Sequence, residues 1–254
     1  MQARALPSGQ TTQPNVRYVD GPRAFSKTFT VCTILHRQEN YDRLLRSFAR
    51  LGFDAENTEF LAFDNRESNR FDGYRFVRQG VSEAQGQYVI FCHDDIELID
   101  LGFDDLKSRL EDLEAMDPVW SIAGVAGGQF HPKEAILANL AYHITDRYGA
   151  DRKSDEPFPS RVETVDECFF VMPAIRASVP SLDLQGFHFF ATDVCLQAEF
   201  LGGRAYVISF LLHHHGRGTK GTDFRQQRRA ISNKYRRYFP GRTLLATTGP
   251  VPLG

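Results

Sequence analysis

Two adjacent carboxylates at the end of an apolar run are the residues whose types and positions point most directly to chemistry. Residues 88–92 (YVIFC) are strand formers and are followed by His93, Asp94 and Asp95. A short apolar run predicts a strand buried in a parallel sheet, and open α/β sheets bind ligands at the carboxyl ends of such strands. Carboxylates there are costly unless a positive charge meets them, as a divalent cation with a phosphorylated ligand does. The alternative is an acidic turn that caps the next helix, and this segment alone does not separate the two.

Three consecutive histidines follow a second apolar run. If the chain is extended there, His214 points to one face of the strand, whereas His213 and His215 share the other. A histidine beside hard carboxylate ligands favours Mn²⁺ over Mg²⁺. A solvated strand end that binds nothing is the alternative. His93 is interpreted as a core-facing residue whose ring bonds a backbone carbonyl.

Other carboxylates each have a structural and a functional interpretation. Asp193 is predicted to open a helix over residues 193–200, where Asp193 or Thr192 can serve simply as the N-cap. Asp166 and Glu167 lie in a mostly extended stretch, where unpaired carboxylates are costly, so they either pair with an arginine or contact a ligand. Asp64 ends a strand, where it either contacts a ribose or base or starts a turn with the next residue.

The elements that must position these residues alternate between strands and helices. Strands are predicted at 29–35, 59–63, 74–77, 88–92, 121–125, 162–172 and 205–212, and helices at 41–52, near 81–84, at 103–116 and at 193–200. Such an alternation predicts right-handed βαβ crossovers and a parallel sheet. Residues 140–160 are predicted to form a polar, irregular loop, and Gly127-Gly128 a loop after a strand.

Composition limits the class of protein. The 254 residues are 42% hydrophobic, with a formal charge of −2, which gives no general attraction to nucleic acid. The four cysteines have no CxxC spacing and are interpreted as buried thiols. No apolar stretch is long enough to span a bilayer, so we expect a soluble, cytoplasmic protein.

We predict a flexible lead-in over residues 1–27, a single domain over 28–242 and a C-terminal tail over 243–254.

The order of the motifs resembles that of the family 2 glycosyltransferases, of the kind that build bacterial cell-surface polysaccharides. The resemblance runs from about residue 29 to 219 and is carried by TVCTILHRQENYDRLLRSF, AFDNRES, QGVSEAQGQYVIFCHDDIEL, HFFATDVCLQA and HHHGRGT. The chain departs from the family at the metal motif, where His93 replaces the first Asp of Asp-x-Asp. It departs again at Glu167, where the family has Gly, and at Thr192, where it has Glu. The resemblance implies the GT-A fold, an α/β architecture with a mostly parallel central sheet flanked by helices.

The resemblance also implies roles for individual residues. The implied metal ligands are Asp95, His214 and His215, and the implied cofactor is Mn²⁺ or Mg²⁺. The implied donor-binding residues are Leu35, His36, Asp64, Asp94, Arg217 and Lys220. The implied general base is Asp193, helped by Thr192, and the implied acceptor contacts are Asp166 and Glu167.

We therefore expect a metal-dependent inverting glycosyltransferase that moves a sugar from a nucleotide-diphosphate donor to a glycan or lipid-linked glycan. Residues 217–242 hold nine Lys or Arg against Asp223 alone, which is compatible with peripheral contact at an anionic membrane. Two alternatives stay open. One is a non-catalytic GT-A-like module that binds a sugar or nucleotide, and the other is a metal-dependent phosphoesterase or nucleotidyltransferase.

Overall fold

The computed structural model describes residues 16, 18–130, 140–146, 151–153, 155, 157–216 and 221–253. The strands are β1 (Lys27–Leu35), β2 (Thr58–Asp64), β3 (Gly86–His93), β4 (Ile96–Leu98), β5 (Trp120–Gly124), β6 (Ala126–Gly128), β7 (Leu140–Asp146), β8 (Asp151–Lys153), β9 (Ser160–Val162), β10 (Thr164–Val165), β11 (Phe169–Pro173), β12 (Arg204–Val207), β13 (Leu212–His214), β14 (Thr243–Ala246) and β15 (Gly249–Pro252). The helices are α1 (Gln38–Arg50), α2 (Gly73–Glu83), α3 (Phe103–Met116), α4 (Phe190–Phe200) and α5 (Thr222–Tyr235).

A seven-stranded sheet in the order β2-β1-β3-β11-β5-β12-β9 forms the centre of the molecule. β1 is parallel to both β2 and β3, and β12 is parallel to β5, whereas β11 and β9 run antiparallel to their neighbours. A second sheet has the order β10-β6-β7-β13-β4, with β8 paired to β7. The predicted α/β fold with a mostly parallel central sheet is confirmed.

Both faces of the central sheet are buried, because alternate residues of its strands enter two different hydrophobic clusters. On β3, Val89 and Phe91 join one cluster, and Tyr88 and Ile90 join the other. Helices α2, α4 and α5 cover the first face, and α1 and α3 cover the second. This arrangement explains why the strands read as continuous apolar runs.

The predicted strand at residues 74–77 is wrong, because these residues lie in helix α2. The side chain of Asp72 caps the helix by accepting a hydrogen bond from the backbone N–H of Arg75 at 2.8 Å. Tyr74, Val77 and Gly80 are buried on one side. A Cβ at Gly80 would lie 2.6 Å from the Phe91 ring, so this glycine allows the helix to approach the sheet closely.

Helix α4 begins three residues earlier than predicted, at Phe190. Its N-cap is Phe189, which has a left-handed backbone with φ 64°. Asp193 lies within the first turn, so the prediction that Thr192 or Asp193 caps the helix is wrong.

Three stretches predicted as loops or a tail take part in sheets, and the first of them, the predicted loop at residues 140–160, contains β7 and β8. Gly127 and Gly128 lie in β6, and a Cβ at Gly127 would lie 2.4 Å from the Thr164 carbonyl oxygen. Residues 243–253, predicted as a tail, contain the hairpin of β14 and β15, whose Leu244 and Val251 join the core cluster of α4 and α5. None of the helices in the described ranges combines the length and apolar character needed to cross a bilayer.

Candidate active site

His93, Asp95 and His214 come together where the two sheets meet. His93 is the last residue of β3, and Asp95 lies in the turn between β3 and β4. β13 pairs with β4 so that His214 stands opposite Ile96, the residue after Asp95. The second sheet therefore brings a histidine from far along the chain to the carboxyl end of a central strand.

The three side chains form a group that can hold a metal ion. One potential ligand atom from each lies within 4.8 Å of the others. Nε2 of His214 lies 3.3 Å from both Nδ1 of His93 and Oδ1 of Asp95. Oδ1 of Asp95 is buried and accepts no hydrogen bond of ordinary geometry from the described part of the chain. A buried carboxylate oxygen is costly in that state, and a cation would satisfy it.

Each member of the group shifts the pKa of the others. Partial loss of water around the His93 ring, which is still 44% exposed, lowers its pKa, and the neighbouring imidazole of His214 lowers it further. Burial by itself would raise the pKa of Asp95, but the two imidazoles outweigh it and lower that pKa. A neutral His93 ring beside an ionised Asp95 is the protonation state that metal binding requires.

The chain after the histidines passes directly over the carboxylate. The backbone N–H of His215 donates to the Asp95 carbonyl oxygen at 3.1 Å. A Cβ on Gly216 would lie 2.1 Å from Oδ2 of Asp95, so only glycine fits beside the carboxylate here.

Two of the predicted histidine positions need correction. His215 lies on the opposite face of the strand end from the group, where its Nε2 meets Oε2 of Glu97 at 2.8 Å and its ring packs on His213. The structure therefore does not bring His215 into the group, whereas Asp95 and His214 do meet. His93 is 44% exposed at its side chain and belongs to the group, so its interpretation as a core residue is wrong.

Asp94 fixes the loop between β1 and α1. It is 8% exposed, and its Oδ2 accepts hydrogen bonds from the backbone N–H groups of His36 and Arg37, both at 2.9 Å. Asp94 thus joins the end of β3 to the loop after β1 and positions that loop, while its predicted contact with the donor stays a prediction. Leu35 is buried, and the exposed His36 has its ring 6.0 Å from that of Phe187.

Asp64 lies at the sheet edge, opposite Leu35 in the β1–β2 ladder. Arg66 donates to both of its oxygens, at 2.9 and 2.8 Å, and holds the pKa of Asp64 well below its usual range. The pair is exposed and stands beside the loop that Asp94 fixes.

Arg217 and Lys220, predicted to meet the diphosphate, lie outside the described residues.

Asp193 is fully buried and joins three segments. Its Oδ2 accepts from the backbone N–H of Ser181 at 2.6 Å, and its Oδ1 accepts from the hydroxyls of Ser181 at 2.9 Å and Tyr235 at 2.5 Å. Burial raises the pKa of Asp193 despite these bonds. Both oxygens of Asp193 are occupied and none of the residue is exposed, which favours a structural role, and Asp193 as a general base stays a prediction. Thr192 is 2% exposed and is buried as well.

The two predicted acceptor residues differ in their surroundings. Asp166 accepts from the backbone N–H of Cys168 at 2.9 Å and from the hydroxyl of Thr247, and these bonds outweigh burial and lower its pKa. Burial and the charge of Asp166 raise the pKa of Glu167 to about 8, against a smaller lowering effect of the backbone amides near Phe189 and Ala191. Glu167 is partly exposed and was assigned above only to acceptor contact.

Sequence reasoning favoured a core position for His93 over membership of the group, and it missed Gly216 as the residue that lies against Asp95. For His93, the available signal was the His-x-Asp spacing at residues 93–95. Nothing in the local sequence marked Gly216, because Asp95, the residue it lies against, is 121 positions away along the chain.

Solved structures of known proteins have a similar fold. GalNAc-T7, in a structure with UDP, GalNAc and Mn²⁺, gives a TM-score of 0.53 at 12% identity over 76% of this chain and 44% of that one. TarS of S. aureus gives 0.51 at 12% identity over 81% of this chain and 39% of that one. The chain thus spans less than half the length of either structure. With the topology above, these similarities show that the protein has the GT-A fold.

At the level of sequence, no protein-family model matches the chain. The protein described as "ATP synthase subunits region ORF 6" of Fuscovulum blasticum is 47% identical over 242 residues, which cover 95% of this chain and 97% of that one. The chain belongs to the same family as that protein.

Proposed function

We propose that the protein is a divalent-cation-dependent glycosyltransferase that takes a sugar from a nucleoside-diphosphate donor. The observation that carries the proposal is the group of His93, Asp95 and His214 at the carboxyl end of a central strand of a GT-A fold. GalNAc-T7, which has the same fold, holds UDP, GalNAc and Mn²⁺, and this is the class of ligand we propose here.

The metal would be held by Asp95 Oδ1 with ring nitrogens of His93 and His214. The fit is supported by the buried, unsatisfied Oδ1 and by the glycine that leaves room beside the same carboxylate. When bound, the cation would stabilise the negative charge that develops on the leaving diphosphate. Two imidazoles with one carboxylate favour Mn²⁺ over Mg²⁺, because Mg²⁺ prefers oxygen ligands throughout.

The donor would lie across the ends of β1 and β3. Helices α1 and α2 follow successive strands and pack on opposite faces of the sheet, with β1 between β2 and β3. That strand order creates a topological switch point beside β1, where α/β sheets bind ligands. Asp94 fixes this loop, which supports our proposal that His36 and Asp64 contact the nucleotide while the metal group meets its phosphates.

We further propose inversion by a single displacement and a glycan or lipid-linked glycan as acceptor, as in polysaccharide synthesis.

A surface at the C-terminal end of α5 supports contact with an anionic membrane that would present such an acceptor. Leu182 is 86% exposed, Leu201 79% and Tyr238 63%, and Arg236 and Arg237, the two residues that follow α5, are exposed as well. Apolar side chains next to cations suit a membrane interface. The test is co-sedimentation with phosphatidylglycerol vesicles, which the double variant Leu182→Ser, Leu201→Ser should weaken without changing nucleotide affinity.

Calorimetry with UDP, GDP and dTDP tests the donor site. We expect one of them to bind in Mn²⁺ and to bind far more weakly in EDTA, because the carboxylates otherwise repel the phosphates. Asp95→Ala should remove the Mn²⁺-dependent part of the affinity. Asp100→Ala, a change at an exposed aspartate five residues on, is the matched control. Equal affinity in Mn²⁺ and EDTA would exclude the metal group as the donor site.

Turnover separates the proposal from its alternatives. Incubation with Mn²⁺ and a panel of nucleotide sugars should release nucleoside diphosphate. A non-catalytic module would bind nucleotide in calorimetry and release nothing. A phosphoesterase or nucleotidyltransferase would release a nucleoside monophosphate, phosphate or pyrophosphate instead.

A further inference from the structure

The C-terminal hairpin of β14 and β15 is fixed against the edge of the second sheet. The hydroxyl of Thr164 in β10 donates to the carbonyl oxygen of Leu245 in β14 at 2.6 Å. A Cβ on Gly128, which pairs with Thr164 in the β6–β10 ladder, would lie 2.4 Å from the same oxygen, so only glycine allows this approach. Leu244 and Val251 of the hairpin enter the core cluster of α4 and α5. These contacts hold the turn after β14 in a defined position.

The turn of this hairpin contacts Asp166, the residue that follows β10. The hydroxyl of Thr247 donates to Oδ2 of Asp166, and the backbone N–H of Cys168 donates to its Oδ1 at 2.9 Å. The N–H of Asp166 itself donates to the carbonyl oxygen of Ala126 at 2.8 Å. Burial by itself would raise the pKa of Asp166, but the bonds from Thr247 and Cys168 outweigh it and lower that pKa, so the carboxylate is an anion with a donor on each oxygen. Asp166 thus links the hairpin turn to the segment between β10 and β11.

That segment leads directly to the metal group. The carbonyl oxygen of Cys168 accepts a hydrogen bond from the backbone N–H of His93 at 3.1 Å. The β3–β11 ladder ends at Cys92, so this bond carries the contact between the two strands one residue further, to His93. Nδ1 of the same histidine lies 3.3 Å from Nε2 of His214. Three successive hydrogen bonds therefore connect the hydroxyl of Thr247 to the backbone of a member of the metal group.

We infer that Thr247 is a positioning residue of the metal group and acts through Asp166 and Cys168, an inference that rests on the metal binding of the proposed function. The hydroxyl holds the Asp166 carboxylate, and the carboxylate holds the N–H of Cys168. The carbonyl oxygen of Cys168 in turn holds the backbone of His93. Partners of this kind orient metal ligands before the ion arrives and so raise the affinity of the site for it. If the bond served only to attach the hairpin, its loss would lower stability and leave metal affinity unchanged.

Calorimetric titration of the full chain with Mn²⁺ alone tests the inference. Thr247→Val keeps the shape of the side chain and removes the hydroxyl. Outer-shell partners typically contribute about 10–100-fold to metal affinity, and two further bonds separate Thr247 from His93, so we expect Mn²⁺ affinity to fall by roughly three- to tenfold. Thr247→Ala, a second variant without the hydroxyl, should give the same loss. Thr247→Ser, which keeps the hydroxyl, should bind Mn²⁺ as the wild type does.

Thr243→Val is the matched control on the same hairpin. Thr243 is the first residue of β14, and its hydroxyl takes part in no hydrogen bond among the described residues. This variant should therefore bind Mn²⁺ as the wild type does. The route through Asp166 is tested by a double-mutant cycle. Asp166→Ala should weaken Mn²⁺ binding at least as much as Thr247→Val, and adding Thr247→Val to it should cause no further loss, because the two residues act in one chain of contacts.

A second measurement needs no metal. Amide hydrogen exchange in EDTA reports the hydrogen bonds of individual N–H groups, and loosening of a contact appears as faster exchange. The amides of Cys168 and His93 should exchange faster in Thr247→Val than in the wild type and in Thr243→Val. The amide of Ile90, in the middle of β3, should be unaffected.

The outcomes separate this inference from the proposal on which it rests. A wild type that binds Mn²⁺, with unchanged affinity and unchanged exchange at His93 in Thr247→Val, overturns the positioning role and leaves the metal group standing. A lower Tm of Thr247→Val in EDTA with unchanged Mn²⁺ affinity would assign Thr247 to the attachment of the hairpin and would overturn the inference too. A wild type that does not bind Mn²⁺ would overturn the metal group itself, whatever the variants do.

Discussion

Asp95 shows how a single residue defines the proposed site. Its Oδ1 is buried without a hydrogen-bond donor in the described part of the chain, while two imidazoles lie beside it. Without a cation this arrangement costs stability, because an ionised oxygen has lost its water without a full replacement. The neutral ring of His93 adds a nitrogen ligand and does not supply the missing charge.

Adjacent histidines offer a matched pair of variants for the metal site. A saturating cation should stabilise the wild type by about 2.7 kcal/mol at 100 times its Kd, or roughly 5–10 °C in Tm for a chain of this size. His214→Asn should abolish the Mn²⁺-dependent rise in Tm, because His214 belongs to the group. His215→Asn should keep it, because His215 pairs with Glu97. Thermal unfolding in Mn²⁺ and in EDTA checks both, and loss of the rise in both variants would contradict the assignment.

Gly216 permits a second prediction at the scale of one residue. Gly216→Ala places a methyl group where Oδ2 of Asp95 now lies, so either the carboxylate rotates or the strand end moves away. We expect Mn²⁺ affinity to fall by at least tenfold in calorimetry. Gly221→Ala is the control, since a Cβ there meets nothing within 4 Å. Unchanged Mn²⁺ affinity in Gly216→Ala would show that the carboxylate does not need its present position.

At the scale of elements, the structure separates what local sequence predicts from what distant contacts decide. Helix α3 was predicted with the bounds that it has, because its apolar residues recur with helical spacing over fourteen positions. Helix α2 was misread because residues 74–77 are β-formers in a short window, where the two periods cannot be distinguished. The cap at Asp72 was the local signal that would have corrected the assignment.

Asp193 ties elements together, and we predict that its replacement costs stability rather than chemistry. Asp193→Asn weakens the acceptor of the hydrogen bonds from Ser181 and Tyr235 in a buried site. Unfolding in urea should show a loss of about 1–3 kcal/mol. Tyr235→Phe, which removes one of these donors, should lose less. At a temperature where Asp193→Asn is folded, release of nucleoside diphosphate should stay within about threefold of wild type. A stable variant without turnover would support Asp193 as the base.

At the scale of the whole molecule, the fold was predictable because its signals are collinear along the chain. Asp95 and His214 were predictable for the same reason, since each follows an apolar strand. Which of His214 and His215 joins the group depends on how the chain leaves the β4–β13 ladder, which local sequence does not decide. The surroundings of Asp193 and Glu167 depend on contacts with Tyr235 and Phe189 that no local pattern encodes.

The pH dependence of the stability of the whole chain should report the surroundings of Glu167. Its pKa rises from 4.5 in the unfolded chain to about 8 in the folded one, so between these values the folded protein holds a proton that the unfolded chain has lost. This group therefore lowers stability as pH rises from about 5 to 8, by at most about 1.4 kcal/mol per pH unit. The lowered pKa of His93 acts in the opposite direction below about pH 6.5, but equally in wild type and variant.

Urea unfolding in EDTA at several pH values isolates this effect as the difference between Glu167→Gln and wild type. The difference should be smallest near pH 5, grow in favour of the variant up to about pH 8, and then stay constant. Glu83→Gln should show no such trend, because its carboxylate is exposed in the folded protein as well. A difference that does not change with pH would mean that Glu167 ionises normally in the folded chain.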